Sequence, residues 1–307
     1  MPLKTTISEA YQSYRAQLLK TPLLLGWLIL GPIITLIVDG WMGLAFCLIN
    51  MALLAVYAVI IRSLTPIPPK PELVKRPRLE LILALGLLAV TILVQLLDFE
   101  VWNIQPLQGE VRGFFANLAQ RVYETQGLPD WARQDVFIAL SSTIKQLLPA
   151  LLLFLVLGYG PREMGLARPH WKLTGILVGL TAVFGLATGY LLRAPIHQTL
   201  ILYFIGFLIN ALPEELFFRG MLLPRLEKVF ANPLNALVVS ALCFNMIHVP
   251  IDLYHGQPLH MALLDVFSTG FPSGLIWGYL YLRTRSIVPG IFWHASFGVL
   301  GFALMSL

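Results

Sequence analysis

The sequence predicts an all-α fold, a polytopic transmembrane helical bundle with eight or nine spans. Of its 307 residues, 57% are hydrophobic and only 12% are charged, whereas soluble domains carry about 25% charged residues. The mean hydropathy is +0.77, and apolar segments of span length recur along the chain. The net charge of +5 requires no nucleic-acid partner, because membrane proteins concentrate Lys and Arg in their cytoplasmic loops.

Nine segments are apolar and long enough to cross a bilayer, at roughly 18–22 residues each. They are 22–39, 42–62, 80–98, 139–160, 173–192, 198–220, 233–250, 260–282 and 286–306. The first two are separated by little more than Asp39 and Gly40, and the seventh is short, so eight spans is the alternative. Counting nine makes basic and non-basic loops alternate along the whole chain.

This alternation also predicts where the protein lies in the membrane. The positive-inside rule gives an integral, multi-pass protein with its N-terminus in the cytoplasm and its C-terminus outside. Residues 1–20 have no apolar core or cleavage site, so we expect no cleaved signal peptide. Cys47 and Cys243 lie in apolar runs and are interpreted as core residues rather than a disulfide or metal pair.

The chain divides into four predicted segments. Residues 1–62 form a leader and two spans, and 63–79 form an extended, Pro-rich, basic linker. Spans three to five occupy 80–198, and the remaining spans occupy 199–307. Within the third segment, 99–135 is predicted to contain an amphipathic helix on the outer surface. The alternative there is a solvated helix packed on the bundle.

The stretch NALPEELFFRG, Asn210 to Gly220, places three charges in an apolar span. Each charge there costs about 2.5–3.5 kcal/mol on insertion scales. On a helix Glu215 and Arg219 can pair, whereas Glu214 points about 100° away without a local partner. We therefore expect Glu215 to anchor Arg219 while Glu214 faces a wet cavity. The alternative is a helix that ends early, with all three charges at the interface.

Two histidines complete a candidate catalytic set. His248 closes the seventh span in CFNMIHVP, a position also typical of an interfacial residue, and His294 lies well inside the last span in PGIFWHASFG. A carboxylate and an imidazole can together deprotonate a water, and a second imidazole can stabilise an oxyanion. Glu214, His248 and His294 are thus the predicted catalytic residues. No cofactor is expected; the same three side chains would suit zinc, although an HExxH motif is missing.

At these residues the chain resembles the CPBP family of intramembrane proteases (CAAX proteases and abortive-infection proteins), which includes the CAAX prenyl endopeptidases. The resemblance spans about 200–306 and rests on Glu214-Glu215-Leu216-Phe217-Phe218-Arg219, on Phe244-Asn245-Met246-Ile247-His248 and on His294. It implies that 199–307 is the catalytic core of a glutamate-type endopeptidase, historically called a metalloendopeptidase. The implied substrate is a membrane-anchored or prenylated protein.

The resemblance also implies a role for each matched residue. Glu214 would be the base that activates water, helped by His248, and His294 would bind the oxyanion. Structural support would come from Glu215, Arg219 and Phe244. The base can meet His248 only if the sixth helix continues past Arg219, with Leu222, Leu223 and Leu226 buried, or if the seventh span tilts. We expect the former, a sixth helix that runs to about Lys228.

One position departs from the family pattern. The family places Asn or Asp four residues after the third-motif histidine, and this chain has Gly298 there. Asn210, Asn245 and Ser296 are the candidate substitutes for the missing donor. The same departure fits a proteolytically inactive scaffold or an immunity-type membrane protein. A transporter with a proton relay ranks third, because no internal repeat is evident.

Overall fold

We describe the protein from a computed structural model. The structure describes residues 20–65, 69, 74–98, 117, 120–121, 124, 147–191, 211–268 and 273–305. These residues form helices, turns and irregular connections, and no strand occurs among them. The prediction of an all-α fold is therefore confirmed.

Eleven α-helices and one π-helical segment follow one another in the described ranges. The α-helices are α1 Pro22–Leu64, α2 Pro77–Asp98, α3 Leu148–Val156, α4 Trp171–Leu191, α5 Leu212–Glu214, α6 Leu223–Phe230, α7 Pro233–Met246, α8 Val249–Tyr254, α9 Leu259–Asp265, α10 Ser273–Thr284 and α11 Val288–Met305. The π segment, Glu215–Leu222, joins α5 to α6 without a break. Three described helical stretches are long and apolar enough to cross a membrane, namely Pro22–Leu64, Pro77–Leu97 and Pro233–Tyr254.

Helix α1 contains two predicted spans. Its 43 residues would reach roughly 65 Å as a straight helix, about twice the hydrocarbon thickness of a bilayer. Gly40 interrupts it with φ 70° and ψ −163°, a backbone conformation that only glycine adopts readily. Residues from both ends of α1, including Leu24 and Arg62, line one cavity. The two halves therefore fold back on each other as a hairpin, and Gly40 is the turn that the sequence indicated.

The helix that carries the two glutamates runs from Leu212 to Phe230 through the π segment. Leu222, Leu223 and Leu226 are buried along it. This confirms the expectation that the sixth helix continues to about Lys228. Glu215 and Arg219 are also buried, so the alternative in which this helix ends early at the membrane interface is wrong.

The eighth predicted span, 260–282, is not one helix. Helix α9 ends at Asp265, a turn follows, and α10 begins only at Ser273. The stretch 260–282 is apolar overall, which favours one span, but it contains Gly270 and Pro272, residue types that interrupt helices. The count of eight or nine spans consequently stays a prediction.

The basic connections gather at one end of the bundle. Side chain to backbone hydrogen bonds tie Asn232 to Lys20, Arg283 to Thr65, and Lys75 to Gly158. Arg285 and Glu227 form a two-bond ion pair at the same end. The loops that the sequence assigned to the cytoplasmic side are thus neighbours in space, as one membrane face would require.

Two other predicted segments fall largely outside the described residues. Of the stretch 99–135, residues 117, 120, 121 and 124 are described, and they are helical. Of the linker 63–79, the structure describes its ends, where α1 closes at Leu64 and α2 opens at Pro77. The amphipathic helix and the extended linker therefore remain predictions.

Candidate active site

Five of the predicted residues come together where the π segment meets α7, α10 and α11. Glu214 ends α5, and Glu215 and Arg219 lie in the π segment. Phe244 belongs to α7, and His294 belongs to α11. The sixth, His248, follows α7 and precedes α8.

Glu215 and Arg219 form a buried ion pair. Arg219 Nη1 lies 3.0 Å from Glu215 Oε1, and both side chains are 1% exposed. Arg219 Nη2 donates to the carbonyl of Gly274, and its guanidinium lies 4.8 Å from the ring centre of Phe244. A buried ion pair is tolerated when both charges are also hydrogen-bonded. This arginine therefore ties the π segment to α10 and is not an interfacial charge.

His294 lies between the two glutamates. Its Nδ1 is 3.2 Å from Glu215 Oε1, and its Nε2 is 3.6 Å from Glu214 Oε2. Its ring stacks on the indole of Trp277, with centroids 3.7 Å apart and planes 20° apart. The two carboxylates, although adjacent in sequence and separated by about 100° on an ideal helix, thus reach opposite nitrogens of one imidazole.

The three side chains that contact one another, Glu215, His294 and Glu214, differ sharply in solvent exposure. The side chain of Glu215 is 1% exposed, whereas those of Glu214 and His294 are 13% and 12% exposed. An ionised carboxylate only accepts hydrogen bonds, so Nδ1 of His294 carries the hydrogen that faces Glu215. Nε2 is then the atom that can give or take a proton beside Glu214. The accessible part of the site is a carboxylate and an imidazole nitrogen.

The ring of Phe244 contacts both His248 and His294, and in the described residues these ring contacts connect the two histidines. Its ring centroid is 5.2 Å from that of His248 and 6.2 Å from that of His294. His248 Nδ1 is 3.1 Å from the Phe244 carbonyl, and the side chain is otherwise exposed. Within the described ranges, no hydrogen bond or ion pair joins His248 to Glu214 or His294. The structure therefore brings Glu214 and His294 into direct contact and leaves His248 at the edge of the site.

Two of the candidate oxyanion donors, Ser296 and Asn245, already donate hydrogen bonds to backbone carbonyls. Ser296 Oγ donates to the Phe292 carbonyl at 2.9 Å, which uses its single proton. Asn245 Nδ2 donates to the Val266 carbonyl at 2.9 Å and so ties α7 to the end of α9. Asn210 lies outside the described residues, and Gly298 is a helical position in α11.

A second buried ion pair went unrecognised in the sequence. Arg225 of α6 contacts Glu80 of α2 through Nε and Nη2, both 3.0 Å from Oε2. Tyr159 donates its hydroxyl to the same carboxylate, at 2.7–2.8 Å. In the sequence, Glu80 stands at the start of the predicted span 80–98, and Arg225 stands five residues after the predicted span 198–220. The available signal was a lone acid at the head of an apolar segment, which needs a partner.

Arg225 also stabilises the π segment directly. Its Nη1 donates to the carbonyls of Gly220 and Met221, at 3.2 and 3.0 Å. A π-helical turn displaces the usual i to i−4 hydrogen bonds and leaves carbonyls in need of other donors. The guanidinium supplies them in the segment that carries Glu215 and Arg219.

Metal binding was the open alternative for Glu214, His248 and His294. In the part of the chain that the structure describes, no group of three or more His, Cys, Asp or Glu side chains is arranged to hold a metal ion. Glu214 and His294 are close enough to share a ligand, and His248 lies across the Phe244 ring contact from them.

The fold and the site together define a helical membrane protein with an ionisable cluster inside its bundle. Residues 196–300 match the model of the family described as type II CAAX prenyl endopeptidase Rce1-like. This final third of the chain, which contains every residue of the cluster, is thus similar to that family of CAAX prenyl endopeptidases. No curated protein and no solved structure matches the chain.

Proposed function

We propose that the protein is an intramembrane endopeptidase that hydrolyses a membrane-anchored or prenylated protein. One observation carries this proposal: the contacts Glu214–His294–Glu215–Arg219, in which only the first two side chains are accessible. Charged groups inside a bundle are costly and rarely kept without a functional role. A purely structural ion pair would be complete with Glu215 and Arg219, and it would leave Glu214 unexplained.

In the proposed reaction Glu214 takes a proton from a water as the water oxygen attacks the substrate carbonyl carbon. His294 carries a hydrogen on both ring nitrogens in this scheme, so its Nδ1–H faces Glu215 while its Nε2–H, beside the Glu214 carboxylate, donates to the resulting oxyanion. Collapse of the tetrahedral intermediate breaks the C–N bond, and the proton passes from Glu214 to the leaving nitrogen. The products are a carboxylic acid and an amine, so the atoms of the amide and the water balance without a further reactant.

Glu215 and Arg219 act as positioning residues in this scheme. The Glu215 carboxylate fixes the Nδ1–H of His294, and Arg219 balances its charge in the low-dielectric interior. His248, exposed at the junction of α7 and α8, is the proposed second imidazole that helps hold the water. Substrate or a bound water would complete the link from His248 to Glu214.

A catalytically inactive scaffold or immunity-type protein of the same family is the second candidate. Gly298 favours it, because a glycine cannot supply the amide or carboxyl group that the family places at this position. The single proton of Ser296 is already donated within α11. Loss of one oxyanion donor typically costs about 10²–10³ in rate.

The gathered basic loops support the proposed orientation. Placing that end in the cytoplasm satisfies the positive-inside rule and puts the N-terminus inside and the C-terminus outside.

The test is cleavage of membrane-tethered peptides, with and without a prenyl group, by the purified full-length chain in vesicles. We expect cleavage that the double variant Glu214→Gln/His294→Gln abolishes and that chelators leave unchanged. A chelator-sensitive reaction would replace the glutamate mechanism by a metal-dependent one. A wild-type protein inert towards every peptide would favour the scaffold.

A further inference from the structure

A cavity separate from the catalytic cluster lies between the α1 hairpin and helices α7 and α10. Its volume is about 750 Å³, within the range of ligand-binding clefts. On α10 it is lined by Leu275, Ile276, Tyr279, Leu282 and Arg283. These positions recur at helical spacing on one face, whereas Trp277, which stacks on His294, belongs to another face. Helix α10 therefore separates the cavity from the active site.

The cavity is held open by polar contacts at its edges. Asn232 Nδ2 donates to the Lys20 carbonyl at 2.8 Å, and Arg283 donates to the carbonyl and hydroxyl of Thr65. Towards the other end of the hairpin, Trp27 Nε1 donates to the Phe267 carbonyl at 2.7 Å. These contacts fix both halves of α1 against the bundle, so the space between them is a built feature of the fold.

The walls and the rim of this cavity differ in chemistry. The walls are apolar, with Leu24, Leu54, Ala58 and Leu237 facing the residues of α10. The rim carries four cations, Lys20, Arg62, Arg283 and Arg285, and none of the described lining residues is an Asp or a Glu. Arg285 forms an ion pair with Glu227, whereas Arg283 donates to uncharged oxygens of Thr65. Among the described residues at the rim, cations therefore outnumber anions.

The rim lies at the end of the bundle where the basic loops gather. In the proposed orientation that end faces the cytoplasmic leaflet, where anionic lipids attract Lys and Arg and basic pockets between transmembrane helices bind lipid headgroups. Lys20 and Arg62 are exposed and long enough to close around a phosphate. A cavity with apolar walls and a cationic rim complements an anionic amphiphile.

We propose that this cavity binds one anionic phospholipid. An acyl chain lies between Ala58 and the face of α10, and the phosphate lies among Lys20, Arg62 and Arg283. The lipid would fasten the α1 hairpin to the bundle beside the catalytic helices. This inference does not rest on the proposed protease activity.

The test is native mass spectrometry of the full-length protein with phosphatidylglycerol and with phosphatidylcholine of the same acyl chains. We expect preferential binding of phosphatidylglycerol. Lys20→Gln and Arg62→Gln should each weaken it about fivefold and leave phosphatidylcholine unchanged. Arg78→Gln, an exposed cation that does not line the cavity, is the matched control and should change neither lipid.

A second pair of variants tests the apolar walls. Ala58→Phe fills the cavity and should block phosphatidylglycerol, whereas Ala55→Phe, on the exposed face of the same helix, should not. The proposal is overturned if both lipids bind equally, or if Arg78→Gln weakens binding as much as Arg62→Gln. It also fails if phosphatidylglycerol binds only after residues 2–19 are deleted, because the leader would then be the occupant.

Discussion

The imidazole of His294 lies flat on the indole of Trp277, with ring centroids 3.7 Å apart. Trp277 is 2% exposed and comes from α10, so the ring that orients His294 belongs to a different helix from either glutamate. This stacking fixes the plane of the imidazole, and the two carboxylates fix its rotation within that plane. The geometry of the site therefore depends on α10 as much as on the π segment.

Trp277→Ala should reduce the cleavage rate about 100-fold per folded molecule, because a misplacement of about 1 Å at a catalytic group has effects of this size. Trp277→Phe should lose less, since a smaller ring can still stack. Trp293, also buried but packed on Tyr57, provides the control. Its alanine variant should lose stability comparably, about 3–5 kcal/mol, with a smaller effect on rate. Equal rate losses at both tryptophans would argue against a positioning role for Trp277.

Gly290→Ala should impair catalysis through Glu215. A Cβ at this position would lie 2.8 Å from Glu215 Oε2 and 3.3 Å from its Cδ. Because Arg219 and His294 hold the other oxygen, the carboxylate cannot retreat without loosening one of them. We expect at least a tenfold loss of rate and a destabilisation of about 1–3 kcal/mol. Gly175→Ala, where a Cβ meets nothing within 4 Å, should leave the rate unchanged.

The Glu80–Arg225 pair should behave as a coupled structural unit. Glu80→Gln or Arg225→Met alone should destabilise the protein by about 3–5 kcal/mol, since each leaves a buried charge without its partner. The double variant should cost less than the sum of the two. Additive losses in the free energy of unfolding would contradict this coupling.

Arg225→Met should also lower the cleavage rate of the protein that remains folded, because the Gly220 and Met221 carbonyls in the π segment lose their donor. Glu80→Gln keeps that donor and should cleave at nearly the wild-type rate. Equal rates for the two variants would show that the π segment keeps its geometry without the guanidinium.

Gly298→Asn should raise the cleavage rate if the missing family donor limits it. One oxyanion donor is typically worth about 10²–10³ in rate. Gly298→Ala, which adds a side chain without a donor, is the control and should give no gain. A gain in both variants would trace the effect to the helix rather than to hydrogen bonding.

Local sequence patterns predicted the elements that depend on near neighbours. The break at Gly40 and the Glu215–Arg219 pairing follow from composition and helical spacing within a few residues. The continuation of the sixth helix follows instead from the depth at which Glu214 would have to lie to approach His248. The fold class follows from the apolar content of the whole chain.

Features set by tertiary packing did not follow from those patterns. Glu80 and Arg225 are 145 positions apart, and the sequence around either residue does not indicate the other as its partner. Two carbonyls of the π segment accept hydrogen bonds from Arg225, and a pattern based on 3.6 residues per turn does not predict such a segment. The choice of His294 over His248 as the direct neighbour of Glu214 depends on how α7 and α11 rotate, which the apolar faces of both helices leave undetermined.

The most direct measurement compares three carboxylate variants, Glu214→Gln, Glu215→Gln and Glu80→Gln, for cleavage rate and free energy of unfolding. Glu214→Gln should be inactive yet nearly as stable as wild type, because this partly exposed side chain lies 3.6 Å from the His294 imidazole and, in the described structure, is not part of a buried ion pair with Lys or Arg. Glu215→Gln should lose both activity and stability, and Glu80→Gln should lose mainly stability. A stable Glu214→Gln variant that cleaves at the wild-type rate would contradict the assignment of Glu214 as the base.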